Sequence, residues 1–101
     1  MNVYKINFVF TKKGVIKYIS HLDLMRMFVR ASRRADLPLK ITEGFNPHPK
    51  FSIKRALKLG LESEAEEATI CFNQPVRPEY FKSKLQAELP AGILIKEATL
   101  N

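Results

Sequence analysis

The apolar side chains of this chain repeat first with a period of two and then with a helical period, which restricts the fold to a strand followed by an amphipathic helix. Residues 3–10 alternate like a half-buried strand. The inward positions are Tyr4, Ile6, Phe8 and Phe10. Residues 21–35 place apolar side chains on one side of a helix and basic side chains on the other. Ser20 and Asp23 have the spacing of a helix N-cap, so the helix is predicted to begin there.

Four further segments, three strands and one helix, complete the predicted order. Residues 51–59 and 68–72 are predicted strands, joined by an acidic connection over residues 60–67. Pro78 suits the first turn of a second helix, and residues 93–100 are predicted to form the last strand. The buried stripe of that helix is predicted to be Phe81, Leu85 and Leu89. The order is β-α-β-β-α-β, which predicts an α+β, ferredoxin-like fold with a four-stranded antiparallel sheet and two helices on one face.

Shorter segments connect these elements. Residues 11–14 are predicted to form a turn and residues 15–19 a short extended piece. Residues 40–50 form a longer connection, in which one glycine and two prolines interrupt regular structure. In residues 51–59 the predicted inward side chains are Phe51, Ile53, Leu57 and Leu59, an order that Arg55 breaks.

The length and charge of the chain bound its organisation and its partners. At 101 residues, residues 1–101 are expected to form a single domain. Seventeen Lys and Arg against ten Asp and Glu give a net charge of +7. This charge favours nucleic acid, acidic protein or anionic lipid as a partner, although many small proteins are basic for solubility alone.

Cysteine content and hydropathy narrow the cellular setting. Cys71 is the only cysteine, which excludes an internal disulfide and an all-cysteine metal cage. No cofactor is expected. No apolar run reaches membrane-spanning length. We therefore expect a cytoplasmic protein that does not act at a membrane, and the sequence leaves its oligomeric state open.

Basic side chains concentrate on the polar side of the first helix. The four arginines on this side of the helix repel one another unless an anion or carboxylates offset their charge. Asp23 lies on the same side and can neutralise only part of that charge. The arginines are Arg26, Arg30, Arg33 and Arg34. Guanidinium groups suit bidentate phosphate contacts, which favours RNA, but a solvated helix face is the simpler alternative. Lys50, Lys54 and Lys58 are predicted to add to the basic surface. The lysines expected on the open side of the sheet, opposite the helices, are Lys5, Lys54, Lys58 and Lys96.

The two histidines are the candidate catalytic residues. His21 lies in the first turn of the helix, where a capping or buried role is the simpler interpretation. His48 stands between Pro47 and Pro49 and is expected to be exposed on a stiff loop. If the imidazoles met, they could serve as acid and base in metal-independent RNA cleavage. The predicted pocket comprises Ser20, His21, Asp23, Asn46 and His48; scattered ligands of this kind do not indicate a metal site.

Three segments resemble the radical-SAM-linked protein family, a bacterial domain fused to or encoded beside radical SAM proteins. They are YISHLDLMR at residues 18–26, GFNPHPK at residues 44–50 and ALKLGLES at residues 56–63. The resemblance implies that the signature positions are His21, Asp23, Arg26, Asn46, His48 and Lys50. Members of that family are longer, so this chain is either a short member or an N-terminal piece.

The resemblance also implies a setting near radical SAM enzymes, ribonuclease G-type proteins and ribosomal protein genes. It does not make this chain a radical SAM enzyme, because a cluster of that kind needs more cysteines than Cys71. We therefore expect a non-catalytic RNA-binding accessory domain that works with a radical SAM or RNA-processing partner. The alternatives are a metal-independent endoribonuclease using His21 and His48, and a protein adaptor that docks on a radical SAM enzyme.

Overall fold

The computed structural model describes residues 4–101, and the element order over these residues is the predicted one. The strands are β1 (Tyr4–Lys12), β2 (Phe51–Ile53), β3 (Ser63–Phe72) and β4 (Ile95–Leu100). The helices are α1 (His21–Arg34) and α2 (Pro78–Gln86), with a short 3-10 helix at Gly14–Tyr18. None of the helices in this part of the chain is long and apolar enough to cross a lipid bilayer.

The described strands form one antiparallel sheet in the order β2-β3-β1-β4. β1 lies between β3 and β4, with Asn7 opposite Thr69 on one side and Thr99 on the other. β2 is the edge strand beyond β3, where Ser52 lies opposite Thr69. The β-α-β-β-α-β order with this strand arrangement confirms the predicted α+β, ferredoxin-like fold.

The core lies between the sheet and the two helices. Ile6, Phe8 and Phe10 are buried on the inner face of β1, as the alternation predicts. The ring of Phe28 from α1 packs on Phe10 with 4.8 Å between centroids. Phe81 from α2 packs on Phe8 at 5.2 Å. Both helices therefore cover the same face of the sheet, and the opposite face carries Lys5, Asn7 and Val9 of β1.

The boundaries of α1 follow from local chemistry. The backbone N–H of Asp23 donates to the hydroxyl of Ser20 at 3.1 Å, which satisfies one of the helix's free donors and confirms the predicted cap. At the other end, Asp36 adopts a positive φ of 57°, a conformation that a helix does not continue. Leu37 and Leu39 then turn into the core.

Two connections after β1 differ from the prediction. Thr11 and Lys12 belong to β1 rather than to a turn. Residues 14–18 form a 3-10 helix instead of an extended piece, and Ile19 N–H donates to the Ile16 carbonyl at 3.0 Å. Without a neighbouring strand, a tight turn satisfies backbone groups that an extended segment would leave unpaired.

The predicted strand over residues 51–59 and the connection over residues 60–67 also need correction. β2 ends at Ile53, and the chain that follows brings Arg55 to a carboxylate of β3. Leu57 is buried as predicted, but Leu59 is 63% exposed. β3 begins at Ser63, so most of the predicted acidic connection is strand. Charged residues that face inward conceal a strand from a search for apolar alternation.

Gly92 is the position at which the fold depends most directly on the absence of a side chain. Its φ is +96°, and a Cβ there would collide with the carbonyl of Lys13 and lie 2.8 Å from the Ile16 side chain. We expect Gly92→Ala to lower the free energy of unfolding by about 3 kcal/mol. Gly14→Ala is the control, because φ is +69° with nothing within 4 Å, and should cost only about 1 kcal/mol. Urea denaturation followed by circular dichroism measures both, and equal losses would contradict the steric argument.

Candidate functional site

The arginines of α1 are all exposed, as predicted, but the domain's own carboxylates already meet some of them. Arg26 lies 3.5 Å from the carboxylate of Asp23. Arg34 donates to the carboxylate of Glu88 at 3.0 Å and to its carbonyl at 2.9 Å. The loose, exposed pair at Arg26 contributes little to stability. Arg34 is held more firmly, because its guanidinium group donates to two acceptors of the same residue, Glu88.

Arg30 and Arg33 differ from these neighbours. Both side chains are exposed, and within residues 4–101 neither forms an ion pair or a side-chain hydrogen bond. They stand three residues apart, a spacing that puts their Cβ atoms about 5–6 Å apart on one helix face. The anion-seeking part of the predicted arginine surface is therefore centred on Arg30 and Arg33.

His21 holds a loop in place. The backbone N–H of Leu57 donates to its Nδ1 at 3.4 Å. The N–H of Gly60 donates to the carbonyl of Lys17 at 2.7 Å. The loop after β2 is thus tied to the start of α1 by an imidazole and to the 3-10 helix by a backbone bond. This geometry matches the simpler interpretation of His21 as a structural residue.

His48 is exposed in the loop at residues 40–50, which the sequence predicted to be stiff because of its prolines. Its backbone N–H donates to the hydroxyl of Thr42 at 3.2 Å, and Thr42 N–H donates to the His48 carbonyl at 2.8 Å. The imidazole Nδ1 lies 2.8 Å from the carbonyl oxygen of Asn46. Because a carbonyl only accepts, this bond requires the proton on Nδ1 and leaves Nε2 available.

The structure does not bring His21 and His48 together. His48 lines a cavity with Lys5, near the start of β1. His21 contacts the loop whose Lys58 carbonyl accepts from Lys12, at the end of β1. Lys5 and Lys12 are seven positions apart on β1, about 23 Å at the usual rise. The predicted pocket is therefore divided, with Ser20, His21 and Asp23 at one end and Asn46 and His48 at the other, and a two-histidine cleavage site is not formed.

Two of the three predicted lysines, Lys50 and Lys54, lie away from the α1 arginines. Lys54 points to the open face of the sheet and lies 3.1 Å from Glu67. Lys50 lines a cavity on that face together with Lys5. Lys58 is exposed on the loop after β2. Lys50 and Lys54 therefore lie on the opposite side of the domain from the α1 arginines. Lys58 lies instead on the loop that His21 holds at the start of α1, so its predicted place on the open face is wrong.

A buried charged cluster beneath the loop after β2 was not predicted as a site. The side chains of Lys12 and Glu66 are 1% and 2% exposed. Arg55 makes a bidentate contact to Glu66 at 2.9 and 2.7 Å, and Lys12 Nζ donates to the Lys58 carbonyl at 3.0 Å. Ser63 donates to the same carboxylate. These groups border a cavity of about 280 Å³. The only sequence signal was Arg55 at an inward position.

The cluster shifts the protonation of its members. The hydrogen bonds from Arg55 hold the pKa of Glu66 below its ordinary value, although burial opposes this shift. Burial lowers the pKa of Lys12, against the charge of Glu66, which raises it. Among the described residues, no three His, Cys, Asp or Glu side chains gather where a metal ion could be held. The cluster therefore resembles a structural ion network more than a metal centre.

Comparison with known proteins places the chain in a family. A family model described as "Uncharacterized protein conserved in bacteria (DUF2344)" matches residues 5–100. The chain belongs to this family. The DUF2344 match includes both basic surfaces and the buried cluster, so each is part of the family's domain. The description of DUF2344 mentions neither radical SAM proteins nor RNA. No curated protein and no solved structure matches the chain.

The buried cluster predicts a pH dependence of stability. The pKa of Glu66 is lowered in the folded state, so its contribution is complete above the unfolded pKa and is lost as pH falls through the folded one. We expect Glu66→Gln to lower the unfolding free energy by about 2–3 kcal/mol near pH 7, because Lys12 stays buried without its counter-charge. The loss should shrink as pH falls to about 3.

Urea denaturation at several pH values measures this effect. Glu64→Gln is the matched control, because Glu64 is on the same strand and its ion pair with Lys13 is exposed. Salt screens an exposed pair, so this variant should follow the wild-type curve closely. A loss of stability in Glu66→Gln that does not change with pH would contradict the assigned role of the carboxylate.

Proposed function

We propose that this DUF2344 domain binds RNA through its phosphate backbone, with α1 as the contact surface, and does so as a non-catalytic accessory domain. The observation that carries the proposal is the pair of exposed arginines, Arg30 and Arg33, without a carboxylate partner within residues 4–101. The net charge of +7 supplies a long-range attraction for a polyanion.

The spacing of these arginines suits a phosphate backbone. Two guanidinium groups on one helix face can each take a phosphate in bidentate fashion. Arg26 can join them at little cost, because its exposed pair with Asp23 is weak and a phosphate can replace the carboxylate. Arg34 is less available, since Glu88 holds it through two acceptors.

The mode of recognition follows from where the aromatic rings lie. β1 presents Lys5, Asn7 and Val9 on the open face of the sheet, so base stacking on sheet aromatics is not supported there. Phe45, at the tip of the loop at residues 44–50, is fully exposed and offers a ring on which a base could stack. We therefore propose that α1 recognises the RNA backbone. Phe45 lies in the loop that carries His48 and Lys50 on the open face, so it stands outside this contact surface.

The accessory role rests on two supports. His48 lies near Lys5 and His21 near the loop that contacts Lys12, at strand positions about 23 Å apart, which counts against a shared acid and base in the ribonuclease alternative. The resemblance to radical-SAM-linked proteins favours an RNA-processing or radical SAM partner that supplies the chemistry. We propose that this domain holds the RNA while that partner acts on it.

Removing Arg30 and Arg33 should weaken RNA binding and its dependence on salt. For Arg30→Ala/Arg33→Ala, we expect about tenfold lower affinity for a single-stranded RNA at physiological salt. The slope of log affinity against log salt should fall by about 1.4, because each phosphate that an arginine neutralises adds about 0.7 to it. Fluorescence anisotropy with a labelled oligonucleotide across a salt series measures both quantities.

The control removes the same charge elsewhere. Arg77→Ala/Lys84→Ala takes two exposed cations from α2 and the residue before it, and should change affinity much less. If both double variants lose affinity equally, only the net charge matters and α1 is not the contact surface. A wild-type affinity that does not depend on salt would overturn the proposal altogether.

A second candidate function, docking on a partner protein, is favoured by an exposed apolar surface. The Cβ position of Gly60 lies 3.9 Å from the Tyr18 ring and its N–H donates to the Lys17 carbonyl, so the segment that carries the exposed Leu59 and Leu61 runs beside the 3-10 helix. Val15 and Leu22 are exposed nearby in the 3-10 helix and the start of α1. Exposed apolar side chains gathered in this way are typical of protein interfaces. We propose that this apolar surface docks on a radical SAM protein.

The docking proposal predicts a selective effect of mutation. Leu59→Ser/Leu61→Ser should weaken association with a radical SAM protein of the kind that the resemblance implies by about tenfold or more, with RNA affinity unchanged. Leu94→Ser/Leu100→Ser, which changes exposed leucines at β4, is the control. Analytical ultracentrifugation of the mixed proteins measures association, and an unaltered complex with the first variant would exclude this surface.

A further inference from the structure

The open face of the sheet, opposite α1 and α2, is an ordered surface with three rows of side chains. The first row has Lys50, Cys71 and Lys5, because Cys71 N–H donates to the Lys50 carbonyl and Lys5 lies opposite Cys71. The second row is uncharged and consists of Ser52, Thr69, Asn7 and Thr99. The third row contains Lys54, Glu67, Val9 and Glu97. Charge therefore changes from basic to acidic across the face.

Two cavities follow these rows and join at the middle one. One, of about 290 Å³, is lined by Lys5, His48 and Lys50. The other, of about 480 Å³, is lined by Asn7, Glu67 and Glu97. Ser52 and Thr69 line both. Together they form a groove whose size falls within the usual range for small-molecule sites.

The basic end of the groove has the charge and the hydrogen-bond donors that suit a dianion. In the part of the chain that the structure describes, the ammonium groups of Lys5 and Lys50 have no carboxylate partner. The Asn46 carbonyl fixes the His48 ring through Nδ1 at 2.8 Å, which leaves Nε2 for a ligand. Two cations and an orientated imidazole provide contacts for the three terminal oxygens of a phosphate monoester.

The rest of the groove offers a different chemistry. Thr69 donates its hydroxyl proton to the Asn7 carbonyl oxygen at 2.8 Å, which leaves the Asn7 amide protons free to donate. At the acidic end Lys54 is paired with Glu67, whereas Glu97 forms no ion pair among residues 4–101. The middle row suits sugar hydroxyls, and Glu97 suits an amino group.

We propose that this groove binds a nucleoside monophosphate with an amino group on its base. The phosphate lies between Lys5, Lys50 and His48, the ribose lies over the middle row, and the base amino group donates to Glu97. The strand distance from Lys5 to Val9, which lies beside Glu97, is about 13 Å, comparable with an extended mononucleotide. A continuous RNA strand fits less well, because its next phosphate would meet Glu67 and Glu97.

This site is independent of the RNA surface on α1, since the two lie on opposite sides of the sheet. Titration of the isotopically labelled protein with adenosine 5′-monophosphate should shift the amide resonances of Lys5, Lys50, Thr69 and Cys71. Lys5→Ala/Lys50→Ala should weaken binding by about tenfold or more. The control Arg77→Ala/Lys84→Ala removes equal charge from the helical side and should bind as wild type does.

Ligand variants separate the contacts. The nucleoside adenosine should bind more weakly than adenosine 5′-monophosphate, since it lacks the phosphate. Uridine 5′-monophosphate should also bind more weakly, since its base lacks the amino group. Glu97→Gln should reduce the preference for adenosine 5′-monophosphate over uridine 5′-monophosphate, without changing the affinity for ribose 5-phosphate. His48→Ala should weaken every phosphorylated ligand alike.

Several outcomes would overturn the proposal. Shifts confined to α1, or unaltered binding by Lys5→Ala/Lys50→Ala, would show that the groove is not the site. A short RNA that binds more tightly than the mononucleotide and depends on Lys5 and Lys50 would assign the groove to a nucleic-acid strand instead. Arg30→Ala/Arg33→Ala should leave mononucleotide binding intact, so failure of the RNA proposal and failure of this one are separable.

Discussion

The packing around the Phe8 ring determines which surfaces of this domain are available. Phe8 lies 5.6 Å from Phe28 of α1, 5.2 Å from Phe81 of α2 and 6.3 Å from Phe51 of β2, measured between ring centroids. Aromatic rings supply much of the apolar area that a small domain can bury. Because these contacts lie on one face of β1, both helices are fixed there and the other face stays open. The groove and the arginine surface are consequences of that single asymmetry.

The fold was predictable where apolar periodicity and burial coincide. The alternation and the helical repeat correctly select Ile6, Phe8 and Phe10 of β1 and Leu24, Phe28 and Ala31 of α1 as core side chains. Ser20 caps the helix as its spacing predicts. β3 was predicted too short because Glu66 occupies an inward position. A search for apolar residues cannot detect a buried carboxylate whose partners, Lys12 and Arg55, lie far from it in the sequence.

The placement of the two histidines was open to prediction from the fold itself. In a strand-helix-strand unit, the helix starts at the end of the sheet where the first strand finishes, and it returns the chain to the opposite end. His21 starts α1 and His48 lies in the loop after it. The predicted topology therefore already puts His21 and His48 at opposite ends of the sheet. The chemistry of the two side chains, considered without the topology, suggested one pocket.

Ion pairs within the domain, rather than the number of basic residues, determine which of these residues are available to a ligand. Arg34 and Lys54 are engaged by Glu88 and Glu67, and Arg55 is paired with the buried Glu66. Among the cations without a carboxylate partner in residues 4–101, Arg30 and Arg33 lie together on the helix surface, and Lys5 and Lys50 line a cavity on the sheet. A helix surface is convex and accessible along its length, which suits a long polyanion that must reach several cations. A groove with lysines at one end and the carboxylates of Glu67 and Glu97 at the other suits a short anion better than a continuous strand, so the two proposed ligands differ in size.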